Sequence, residues 1–562
     1  MSLKRYRKVM RLSKSYNSLK KRLIIIIISS CLVFMTACSP LDKIKSIIKD
    51  DGAGYIFKVS LSSDPINLDP QLCQDESSIA VAKNLFVGLM KYDAEKGLTP
   101  AAATDYSVSP DGHKYTFTLD NRYKWRSVGD YEADLTAHDF VFAFRRLFDP
   151  KTKSPYAKDY FCISGAQMAN SGALPVENIG VTALDDYTLE FVLDYPNAQF
   201  LSLLSRLPAS PCNEGFFNDT KGKYGLEAES IASNGPFYVR YWLYDPYGKD
   251  NYVRLRRNQS YSEISRVYPA GVNFLIEKNL NVRLNDFTSG TTDVFVSNSL
   301  SGDLCSDSER EITSEKYYLS SCGLIINPKE EILSRPEVKD ALSLCINRRN
   351  LENSTPDYMT AACGLIPDEA YVGSTKYRSD SNEQKIEENQ SLAEYKWNFI
   401  LNDNEKSRIQ GTNILVPSSF SQAQYLSLVT AEWKDVLGLN IGIEIVSDKD
   451  YRQRVEDKDY SILLTVLSSD CANAFDYIEP FADCEFGISI ESCRKAIYKS
   501  VKYNTVTAAI YDISVAESEV IESYVYMPLW FVPKFVYTGE DNSDIEYDIF
   551  SGSLLFENAK HF

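Results

Sequence analysis

Histidine is nearly missing from this chain: 562 residues hold three, His113, His138 and His561. Twelve cysteines are present, yet no two stand as Cys-x-x-Cys, so neither thiolates nor imidazoles occur at metal-ligand spacing and a zinc site is disfavoured. Missing too are the Gly-x-Ser-x-Gly elbow of a hydrolase, the His-Glu-x-x-His of a metalloprotease and the glycine-rich phosphate loop. These absences give catalysis little support and imply no metal and no cofactor. A glycosidase-type carboxylate pair has no motif, and 77 acids leave it open. The apolar run Leu23 to Ala37 falls short of the ~20 residues that span a membrane.

Basic residues are scarce outside one place. Nine of the 60 Lys and Arg lie in the first 37 positions, which hold no acid, so the rest sets 51 basic against 77 acidic side chains. Beyond that start, the only basic cluster is Arg254 to Arg257. Polyphosphate binding needs a basic face, so no nucleic-acid partner is expected. A basic start followed by a short apolar run reads as a secretion signal over residues 1–37. Met35-Thr36-Ala37-Cys38 resembles a lipobox, in which Cys38 becomes the lipidated first mature residue; stable anchoring needs more than one acyl chain there. Residues 38–53 read as a tether. Apart from Cys31 and Cys38, ten cysteines remain, an even number that permits disulfides and equally fits buried free thiols.

The folded part starts near Tyr55, with Phe57 to Leu61 alternating as a strand. A helix is expected from Ser77 or Ser78, turning Ile79, Ala82, Leu85, Phe86 and Leu89 inward. Gly235 is read as a turn residue, and the arginines of Val253 to Arg257 as a solvated strand face. Ser334 and Glu337 have the spacing of a capping box for a helix beginning at Pro336, with Arg348 and Arg349 as cations at its end. Residues 411–470 read as β-α-β-α-β, and the near-continuous apolar run Tyr460 to Leu467 suits a strand covered on both faces. Ligands of open α/β sheets lie beyond the carboxyl ends of strands, and the first acidic acceptor there is Asp470.

Ser109 to Pro150 carries the most specific pattern. Pro110-Asp111-Gly112 makes a turn and Tyr115 to Leu119 alternates as a strand. At Thr136 the period changes to a helix with Phe140, Phe144, Leu147 and Phe148 on one face, stopped by Asp149-Pro150. This order resembles the signature of the solute-binding lipoproteins of oligopeptide-type ABC importers. Leu68-Asp69-Pro70, Asn234-Gly235-Pro236-Phe237 and Tyr526 to Trp530 are similar to other family segments in the same order.

The resemblance implies an α/β, periplasmic-binding-protein-like fold: two α/β lobes with a hinge and an additional inserted domain. Lobe 1 would comprise 54–93, 232–316 and 521–562, the insert 94–231 and lobe 2 317–520. It further implies that Asp470 pairs with a peptide's α-amino group, with Asp476 in reserve, and that the strand usually ending in Trp here ends in Leu467. The expected protein is a monomeric, extracytoplasmic receptor, anchored to the cell membrane through Cys38, that delivers an oligopeptide or other small solute to ABC permease subunits. A surface-anchored hydrolase of peptide or glycan, or a ligand sensor without a permease, is the alternative.

Overall fold

The computed structural model describes residues 54–562 except 94–95, 130, 249, 307, 381–385, 470 and 501. Cys38 and Asp470 therefore lie outside the described residues. All that follows belongs to the unit Tyr55–Phe562.

An eleven-stranded sheet runs through the unit. Its first half orders Phe237–Leu243, Tyr252–Arg257, Gly271–Ile276, Ile56–Leu61 and Val294–Val296; its second half orders Ile462–Ser468, Thr412–Pro417 and Ile441–Val446. Two long antiparallel strands, Ile312–Ile326 and Met527–Gly539, join the halves. Their register slips in the middle: Tyr317 faces Lys534 and the next pair is Ser320 with Val532. Tyr318 and Leu319 thus oppose the single residue Pro533, which has no N–H to give the ladder. Pairing is interrupted at this point, and the register shifts again between Cys322 and Gly323.

The second half bears out its sequence pattern. Thr412–Pro417 and Ile441–Val446 are parallel strands, with helix Leu426–Leu437 between them ending on the left-handed Gly438. Leu426, Val429, Trp433 and Leu437 are buried. Ile462 and Leu464 enter one apolar cluster while Leu463 and Leu467 enter another, so the strand is covered on both faces.

Between the pieces of the first half sits a four-stranded antiparallel sheet, Ala103–Val108, Lys114–Leu119, Thr188–Val192 and Val181–Asp185 in spatial order. Helix Ala137–Phe148 packs on it with Phe144 against Phe191 at 5.1 Å, edge to face. The Asp139 carboxylate accepts the Thr136 amide at 2.8 Å and the Trp125 indole N–H at 3.2 Å. Burial pushes that carboxyl up to about 6, against the pull of these hydrogen bonds. This layer and the first half of the main sheet share one continuous apolar core.

Five local expectations are corrected. The first helix is only Glu76–Ala82, so Leu85, Phe86 and Leu89 are buried from the segment beyond it. Gly235 makes a close approach instead of a turn: a Cβ there would lie 2.7 Å from the Leu85 carbonyl oxygen. Arg256 is buried, its guanidinium donating to the Leu255 carbonyl at 2.8 Å and to the Asn273 side chain of the neighbouring strand at 3.0 Å. No capping box forms at Ser334: the helix starts at Pro336 behind Arg335, and the Ser334 hydroxyl donates to the Glu330 carbonyl. Asn347 caps a new helix, Arg348–Ser354, so both arginines open a helix instead of closing one. The ten cysteines among the described residues are free thiols.

A candidate ligand cleft

A cleft of about 650 Å³ lies against the first lobe, within the size range of small-molecule sites. One wall comes from the segment after helix Glu76–Ala82, with Lys83, Asn84 and Tyr92, and from the C-terminal hairpin, with Glu546 and Phe550. Asn84 ties these together: its amide donates to the Leu554 carbonyl at 2.9 Å and its oxygen accepts the Phe556 amide at 3.2 Å. The opposite wall is the insert, through Tyr156, Asp159 and Arg206. Tyr156 donates from its hydroxyl to the Cys73 carbonyl at 2.5 Å, fixing the Leu68–Cys73 loop against the insert. Arg206 faces Asp159 at 4.0 Å and is 31% exposed, leaving guanidinium donors open to the cleft.

The second lobe enters through Cys471. Beside it a narrow pocket of about 20 Å³ is lined by Tyr92, Arg206, Tyr371, Cys471, Asn473 and Phe550. Three rings meet here across the lobes: Tyr92 is 4.3 Å from Phe550 and 6.0 Å from Tyr371, and Tyr371 is 5.1 Å from Phe550. Away from them, the Gln199 amide of the insert donates to the Ser500 carbonyl at 3.0 Å.

The loop after strand Ile462–Ser468 is tightly braced. The Ser469 hydroxyl donates to Asp476 at 2.5 Å and accepts the amides of Cys471 at 3.3 Å and Asn473 at 2.8 Å. Asn473 donates to the other oxygen of Asp476 at 3.0 Å. Ala472 is buried with φ of 50°, a left-handed backbone that costs a non-glycine residue energy and persists only where its surroundings hold it. Its carbonyl accepts the Tyr371 amide at 2.6 Å. Burial raises the Asp476 carboxyl, opposed by Ser469 and by the charge of Arg206. Asp476 thus sits behind the loop and does not line the cleft; Asp470 lies between the braced Ser469 and the cleft-lining Cys471 in the chain. Sequence reasoning did not find Arg206, Tyr371, Glu546 or Phe550. None belongs to a motif, and the last two come from a hairpin that reaches the cleft only through tertiary packing.

Two α/β lobes joined by paired long strands, with an inserted layer and a cleft that the second lobe reaches at Cys471, define a solute-binding architecture. Residues 97–487 match the bacterial extracellular solute-binding proteins of family 5, and the chain belongs to that family. It is 25% identical over 516 residues to the periplasmic oligopeptide-binding protein OppA of Salmonella typhimurium, covering 86% of this chain and 89% of that one. To OppA of Bacillus subtilis it is 24% identical over 445 residues, 77% and 79% of the two chains. The unliganded open form of the periplasmic murein tripeptide binding protein MppA shares the fold with a TM-score of 0.68 at 19% identity, covering 91% of this chain and 98% of that one. The protein is an extracytoplasmic solute receptor that delivers its cargo to an ABC importer; the family is non-catalytic, which sets the surface hydrolase aside.

Proposed function

We propose that the cleft binds a peptide whose α-amino group is met by Asp470, and that the receptor presents it to its permease while held to the membrane by lipidated Cys38. The observation that supports this reading is the braced loop Ser469–Asp476, which enters the cleft at Cys471, the residue that follows Asp470 in the chain. An ammonium brought into a closing cleft loses hydration and needs a paired anion. Asp476 then serves by holding the loop's shape. The peptide main chain is gripped by strand-like pairing, which tolerates many side chains. Closure turns about Tyr318, Leu319 and Pro533, close to the proposed division between 232–316 and 317–520. The receptor acts as a monomer, and its acidity disfavours a nucleic-acid partner.

Native mass spectrometry of the purified protein, followed by calorimetry with the recovered compounds, tests the reading. A co-purifying peptide that rebinds with a free amine and loses affinity once N-acetylated is the expected result. Recovery of a sugar, haem or nickel chelate, together with no binding of peptides, overturns it.

A further inference from the structure

Charged groups on the first-lobe wall of the cleft answer one another with one exception. Lys83 pairs with Asp548 at 2.8 Å and Lys560 with Asp544 at 2.9 Å. The Tyr261 hydroxyl donates to Glu557 at 3.2 Å, and Asp93 accepts the Lys96 amide at 2.9 Å. Lys91 and Arg266 both pair with Glu263, at 3.6 and 3.3 Å. Glu546 lines the same wall, half-buried, and among the described residues its carboxylate has neither an ion pair nor a hydrogen bond.

The backbone holds that carboxylate in place. Strand Glu546–Asp548 pairs with Ser553–Leu555 in a short hairpin. Side chains alternate across a strand, so Tyr547 packs on Tyr317 at 4.7 Å on one face while Glu546 and Asp548 turn to the cleft on the other. An unpaired carboxylate in a partly desolvated wall is costly, and a cation arriving with the ligand relieves that cost. A chain of net charge −17 also draws cations toward it.

We propose that Glu546 receives the cationic side chain of a lysine or arginine in the bound peptide, so that the receptor selects basic peptides. The inference rests on the peptide reading of the cleft and deepens it. Burial first, then the charges of Asp548, Asp93 and Glu557, with Lys83 opposing, push the Glu546 carboxyl up to about 7. Near neutral pH it is partly protonated when the cleft is empty, and a bound cation draws it back to the anion with release of a proton.

The test is calorimetry on the full chain with tetrapeptides that carry lysine at each position in turn, each matched to its norleucine counterpart. At pH 8 one lysine position should bind at least tenfold tighter than its norleucine match. That ratio should shrink as pH falls below about 7, because the carboxyl must then give up a proton to pair. Glu546→Gln should bring the ratio close to one, and a cooperative thermal unfolding transition shows that the variant is folded. Binding without a lysine preference, or a preference that survives in Glu546→Gln, overturns this inference alone. No binding of any peptide overturns the peptide reading and this inference with it.

Discussion

Arg146 and Asp69 form an ion pair inside the protein, Nη2 to Oδ2 at 2.5 Å, with side chains only 8% and 3% exposed. The same guanidinium donates to Gln71 at 2.6 Å and lies 4.2 Å from the centre of the Phe217 ring. It thereby fixes the Leu68–Cys73 loop to the insert helix. Removing either partner strands a buried charge, at a cost of about 3–5 kcal/mol. Arg146→Ala and Asp69→Ala should each lower the denaturant midpoint strongly, whereas the double variant should lose far less than the two losses added together. A double variant that loses their full sum would mean that the two groups do not depend on each other.

The Tyr92–Tyr371–Phe550 contact ties the lobes together at the narrow end of the cleft. Aromatic pairs contribute roughly 0.5–1.5 kcal/mol each beyond simple burial, so Tyr371→Ala should weaken closure by about 1–3 kcal/mol. Small-angle scattering of the ligand-free variant should give a larger radius of gyration than wild type, and bound peptide should leave faster. An unchanged radius with an unchanged off-rate would show that the rings carry no closing force.

Much of the fold was legible in the sequence because burial imposes a local period. Phe140, Phe144, Leu147 and Phe148 had to share a face, and the double-sided burial of Leu463 and Leu464 forced a run without polar alternation. The cleft was less legible. Asp470 stands out in the sequence as an acid beyond a strand end, but Glu546 and Phe550 reach the cleft through pairings such as Asn84 with Leu554, 470 residues apart, which leave no local trace. Charge was read poorly for a related reason. Arg256 reads as part of a solvated strand face and Arg348 as a helix-end cation, whereas tertiary structure brings the Asn273 side chain to the one and the Pro528 carbonyl to the other.

Cys38 gives a prediction that is independent of the cleft. If it is acylated after cleavage at Ala37, wild type should partition with membranes and release an acylated N-terminal peptide on digestion. Cys38→Ala should lose the acyl group and shift to the soluble fraction. Equal fractionation of the two proteins, with no acyl group on Cys38, would refute the anchor.

The last prediction concerns Asp470 itself. Asp470→Asn keeps the side chain's size and removes its charge, so a peptide's ammonium would enter the closed cleft unpaired. By analogy with truncated ion pairs at interfaces this costs about 2–5 kcal/mol, and affinity for free-amine peptides should fall on the order of 30-fold or more, each ~1.4 kcal/mol being tenfold. An N-acetylated peptide carries no ammonium and should bind both proteins alike. Calorimetry on the two proteins with one matched pair of peptides gives the coupling free energy directly. Equal losses for both peptides would assign Asp470 to the shape of the loop alongside Ser469 and Asp476. No loss for either would move the α-amino site to another acid of the cleft.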